Sequence, residues 1–70
     1  LSNRINRALD DLPERQRQVF VMSRFEGRSN AEIARGLGIS VRTVETHITA
    51  ALQKLRKLRL GALFLIINLY

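Results

Sequence analysis

Along most of the chain the apolar residues recur at helical spacing. Ile5, Ala8, Leu9 and Leu12 predict a first helix from about Asn3 to Asp11. Pro13 breaks that helix and suits the first turn of the next, where a missing N–H costs nothing. The second helix runs from about Pro13 or Glu14 to Phe25. Its apolar set, Val19, Phe20, Val21, Met22 and Phe25, is wide enough for a well-buried helix. Gly27 stops it. Ser29 then caps a third helix, about Asn30 to Leu37, and Glu32 completes a capping box. Gly38 supplies the next turn, because a left-handed conformation is cheap only for glycine. Ser40 caps a fourth helix that reaches at least Leu58, with Val44, Ile48, Ala51, Leu55 and Leu58 on one stripe. No strand pattern, internal repeat or low-complexity linker interrupts this. The prediction is an all-α, small four-helix domain over residues 1–58, followed by an apolar C-terminal extension over 59–70.

The third and fourth helices form a helix-turn-helix pattern. Two helices that cross steeply need a small residue where they touch, and Ala34 occupies that place. Ile33, Leu37, Ile39, Val44 and Ile48 then supply a shared apolar seam. An ordinary helical hairpin would show the same apolar spacing. The capping box, the alanine, the glycine and the second cap, all in register, favour the helix-turn-helix.

Charge gives that motif a partner. Twelve Lys or Arg stand against six Asp or Glu, a net charge of +6 on 70 residues. A compact basic domain attracts polyanions, nucleic acid first among them, although a solvated basic surface has the same composition. With no cysteine, a disulfide framework and a Cys-based zinc site are both excluded. The lone His47 makes no metal site, and no acid–base or nucleophile constellation surrounds it. No cofactor, metal or catalytic residue is expected. The start at Leu1 reads as a domain excised from something longer. The apolar run from Leu58 to Tyr70 falls short of the roughly 20 residues that a membrane span needs.

At about 100° per residue, Arg42, Thr46, Thr49 and Gln53 lie opposite the apolar stripe of the fourth helix. Glu45, Ala50, Arg56 and Lys57 flank them. In a helix-turn-helix the N-terminal part of this face reaches base edges. Arg42 can donate to guanine, Glu45 can accept from cytosine N4, and threonine methyls can touch a thymine methyl. The base-reading candidates are Arg42, Thr43, Glu45, Thr46, Thr49 and Gln53; the bland alternative is a solvated polar face. Phosphate candidates are Ser29 and Asn30 at the start of the third helix, where free N–H groups attract anions, with Arg28 before them and His47 and Lys57 on the fourth helix. Lys54 and Arg59 could also track phosphate or simply solvate the helix end.

The segments Leu9-Asp10-Asp11-Leu12-Pro13-Glu14-Arg15-Gln16-Arg17-Gln18-Val19-Phe20, Ser23-Arg24-Phe25-Glu26-Gly27, Glu32-Ile33-Ala34 and Gly38-Ile39-Ser40 through Thr43-Val44 together resemble region 4 of the sigma-70 family of RNA polymerase sigma factors, most of all the extracytoplasmic-function type. The resemblance implies a bacterial, cytoplasmic transcription initiation factor. Its last helix would bind the −35 promoter element of double-stranded DNA, and an apolar surface would dock on the β-subunit flap of core RNA polymerase. It also implies an anti-sigma factor as partner. By position, the family's DNA-reading residues map onto Arg42, Glu45, Thr46, Thr49 and Ala50; many relatives carry Arg where this chain has Glu45 or Ala50. A second resemblance is to the LuxR-type response-regulator domain, through Ser29-Asn30-Ala31-Glu32-Ile33-Ala34, Thr43-Val44-Glu45-Thr46-His47 and Gln53-Lys54-Leu55. Asp11-Leu12-Pro13 and Phe25-Glu26-Gly27 favour the sigma reading. A helical protein-binding adaptor is a third alternative, against which the basic reading face argues.

The tail carries Leu60, Leu63, Phe64, Leu65, Ile66, Ile67, Leu69 and Tyr70, more apolar surface than the third and fourth helices need. Either it folds back to complete a small core, or it competes for the flap-binding surface or pairs with another copy.

Overall fold

The computed structural model describes residues 3–57, and side chains over 6–57. The order is α1 (Asn3–Asp10), α2 (Glu14–Arg24), α3 (Asn30–Leu37) and α4 (Val41–Lys57). Leu58 and the apolar tail, with the fold-back, flap-competing and self-pairing roles expected of it, lie outside the described residues.

Each boundary has a local cause. Asp11 is already in the turn after α1: its N–H reaches the carbonyls of Arg7 and Ala8 at 3.2 and 3.3 Å, and Leu12 N–H reaches Leu9 O at 3.1 Å. Pro13 caps α2 rather than lying inside its first turn. Its ψ of 145° is extended, and its carbonyl accepts the first helical bond from Arg17 N–H at 2.9 Å. The fixed φ of proline suits this position as well as the one after it. At the other end α2 stops at Arg24, with Phe25 as its C-cap. Gly27 takes φ +67°, and Arg28 N–H turns back to the Met22 carbonyl at 3.0 Å.

The capping box of α3 forms as the sequence predicts. Glu32 N–H donates to Ser29 Oγ at 3.1 Å, and Ser29 N–H donates to Glu32 Oε1 at 2.8 Å. Gly38 ends the helix at φ +67°, its N–H bonded to the Ala34 carbonyl, which also accepts from Ile39 N–H at 3.0 Å. Ser40 opens α4: its Oγ accepts from Thr43 N–H at 3.0 Å and its carbonyl from Val44 N–H at 3.0 Å.

The core divides into two buried clusters. Ala8, Leu9 and Leu12 meet Phe20 of α2 and Ala51 and Leu55 of α4. Ile33 and Ala34 of α3 meet Val19 of α2 and Val44 and Ile48 of α4. Neighbouring residues Val19 and Phe20, both fully buried, therefore serve different clusters. Leu52 packs against both. Phe25 stands edge-on to Phe20 with ring centroids 6.0 Å apart, a favoured aromatic geometry. The consequence for the fold is that α4 acts as a spine. It packs along α2 throughout; Ala8, Leu9 and Leu12 close over its C-terminal half, and α3 seats its N-terminal half. That seating fixes which face of α4 is left for a partner.

Candidate nucleic-acid interface

Burying Val44 and Ile48 against Ile33 and Ala34 turns the opposite face of α4 outward. Arg42, Glu45, Thr46, Thr49 and Gln53 are exposed there, and Ala50 is half-buried. These six residues line one open depression along the helix. The periodicity of α4 thus brings together five of the predicted base-reading residues on one surface, with Ala50 in their midst.

Thr43 stands apart from them. It is half-buried, does not line the depression, and its hydroxyl lies 2.8 Å from Ser40 Oγ in the α4 cap. Its side chain is engaged in starting the helix. Thr46 also has an internal partner, since its hydroxyl donates to the Arg42 carbonyl at 3.0 Å. Threonine in a helix often makes this bond to the carbonyl one turn back.

The phosphate candidates fall into two groups. Arg28, Ser29 and Asn30 line a second depression at the start of α3, together with Ser23, Arg24, Gly27 and Glu32. This site is less open to an anion than the sequence suggests. Ser29 Oγ already accepts a helix N–H, and Glu32 places a carboxylate in the first turn. That carboxyl is held below the usual carboxylate range, first by the Ser29 backbone N–H, then by the Ser29 side chain, with Arg28 and Arg35 adding attraction. Arg28 Nε is paired with Glu26 Oε1 at 2.9 Å across a largely exposed contact. Such surface pairs contribute little and exchange readily for another anion. Arg24, which the sequence reading did not single out, belongs to this depression; its Nη1 donates to Ser23 Oγ at 2.7 Å. Its position at the last turn of α2, ahead of Gly27, was the available signal.

The second group lies on α4. His47 is half-buried at the edge of the helix, and Lys57 is exposed at its last turn. Lys54 turns toward α2, where its Nζ donates to Gln16 Oε1 at 3.3 Å. Among the described residues there is no cluster of side chains that could hold a metal, and no helix long and apolar enough to cross a membrane.

The family model for sigma-70 region 4 matches residues 2–55. No curated protein and no solved structure matched the chain. The matched span includes Leu12-Pro13 and Phe25-Glu26-Gly27, the segments that separated the sigma resemblance from the LuxR-type one. Covering most of the chain, and agreeing with four helices of which the last two form a helix-turn-helix, the match shows that this chain belongs to the sigma-70 region 4 family of DNA-binding transcription initiation domains.

Proposed function

We propose that this domain recognises the −35 element of a promoter within an initiation complex, docks on the β-subunit flap of core RNA polymerase, and belongs to a sigma factor of the extracytoplasmic-function type under the control of an anti-sigma factor. The observation that carries the DNA part is the depression on α4. Arg42, Glu45, Thr46, Thr49, Ala50 and Gln53 line it on the helix that the motif presents to a major groove.

Their chemistry suits base edges. Arg42 presents donors for guanine O6 and N7, Glu45 an acceptor for cytosine N4–H₂, and Gln53 an amide that pairs with adenine N6 and N7. Arg28, Ser29, Asn30, His47 and Lys57 serve as backbone contacts that fix register. Thr43 contributes by starting α4 rather than by reading a base. Chemistry on nucleotides belongs to the polymerase.

The test is selection from duplexes with a randomised central segment, using the 70-residue chain, alone and with core polymerase. The expected result is enrichment of one short element and retention of the chain on core polymerase. Arg42→Ala should flatten the preference at one or two positions, by about 1–3 kcal/mol of lost discrimination. Enrichment of no element, or a preference untouched by Arg42→Ala, overturns the reading of α4. Failure to bind core polymerase overturns the docking.

A further inference from the structure

We propose that the middle of the α4 depression is a subsite for the 5-methyl group of thymine, and that Thr46 determines this specificity through its methyl rather than its hydroxyl. The inference rests on the reading that this face of α4 lies on duplex DNA.

A hydroxyl carries one proton to donate. That of Thr46 is given to the Arg42 carbonyl at 3.0 Å, so no donor remains for a base acceptor. What remains on the exposed Thr46 side chain is its methyl group and oxygen lone pairs. The lone pairs meet strong competition: Glu45 and Gln53 line the same depression and provide a carboxylate and an amide oxygen for the amino groups of cytosine and adenine. The apolar part shares the depression with one other threonine methyl, that of Thr49, from which the Thr46 variants distinguish it. Ala50, one turn after Thr46, is half-buried in the same depression and adds a further small apolar group with no polar atom beyond the backbone. Polar groups thus occupy both ends, Arg42 and Glu45 at one and Gln53 at the other, with the methyl groups of Thr46, Thr49 and Ala50, and the Thr49 hydroxyl, between them. In the major groove the only apolar group on a base edge is the C5-methyl of thymine.

Thymine and uracil differ by that methyl alone, which makes the test direct. The best duplex from the randomised selection is remade with deoxyuridine replacing each thymine in turn. Binding is measured for the wild-type chain, Thr46→Ser and Thr46→Val. For the wild-type chain, uracil at one or two positions should weaken binding about threefold to fourfold, the value of one buried methyl. Thr46→Ser keeps the hydroxyl and should lose that sensitivity. Thr46→Val keeps the methyl without the hydroxyl and should retain it. Circular dichroism of both variants checks that α4 stays helical.

Uracil tolerated at every position overturns the proposal, as does a uracil effect that survives in Thr46→Ser or vanishes in Thr46→Val. A selected element without thymine overturns it too, while leaving the −35 reading in place. If no element is selected at all, the reading of α4 falls and this inference falls with it.

Discussion

Two glycines two positions apart show how much a single backbone angle decides. Gly38 sits at φ +67° after α3, and a Cβ built there meets nothing within 4 Å. Space is not its constraint; the left-handed conformation is, and it costs an L-residue about 1–2 kcal/mol. Gly36 lies within α3 at an ordinary helical φ, and a Cβ there would come 3.9 Å from Met22 Cε, a normal van der Waals contact. Glycine inside a helix costs up to about 1 kcal/mol relative to alanine. The same substitution should therefore act with opposite sign: Gly38→Ala lowers stability by about 1–2 kcal/mol, and Gly36→Ala raises it by up to about 1 kcal/mol. Urea titrations with unchanged m-values would measure both. Equal effects at the two positions would mean that the turn does not depend on the left-handed residue. The sequence marks Gly38 because it falls between a periodic run and a new cap. It places Gly36 inside the third helix but is silent on the room beside it, since the approach of Met22 from α2 is set by helix packing.

At the level of elements, α3 is the one whose start is most fully specified. Ser29→Ala removes the bond to Glu32 N–H and should cost about 1 kcal/mol. The reciprocal half of the box is sensitive to pH. The folded Glu32 carboxyl has its pKa lowered, chiefly by the Ser29 backbone N–H and then by the Ser29 side chain. Its folded pKa thus lies below its unfolded one. The stabilisation is fully present above the unfolded carboxylate pKa and is lost as pH falls through the folded one. Glu32→Gln keeps a capping side chain but not the charge. The variant should melt below the wild type near neutral pH, and the gap should close below about pH 4; a gap that persists in acid would assign the difference to packing. These local devices, together with the bounds of α1, α2 and α3 and the start of α4 to within a residue or two, are legible because caps and periodicity act over a single turn. The division of the core is not. Val19 and Phe20 belong to one broad apolar stripe in the sequence, and only the crossing of α2 over α4 sends them to different clusters. The limit at the interface has the same origin. Helical projection gathers Arg42, Glu45, Thr46, Thr49 and Gln53, but it cannot show that Thr43 is tied to Ser40, that Arg28 is paired with Glu26, or that Lys54 reaches Gln16 on another helix.

For the whole molecule, the net charge of +6 and the reading face do separate work. The α4 depression is not especially basic: it carries one cation, Arg42, and one anion, Glu45. Attraction to DNA must then come mainly from cations outside it, through release of the counterions that phosphates hold. This separation predicts two kinds of variant. Lys57, exposed at the end of α4 and outside the depression, should contact phosphate without reading sequence. In a plot of log affinity against log salt concentration, Lys57→Ala should reduce the slope by about 0.9 and weaken binding alike for matched and mismatched duplexes. Arg42→Ala should instead change the rank order of duplexes, because the lost contact is to one base pair. Measuring both variants on the same panel of duplexes over the same salt range separates the two contributions. A Lys57→Ala chain with the wild-type slope would remove that residue from the phosphate contacts. An affinity insensitive to salt would mean that the basic charge of this chain faces something other than DNA.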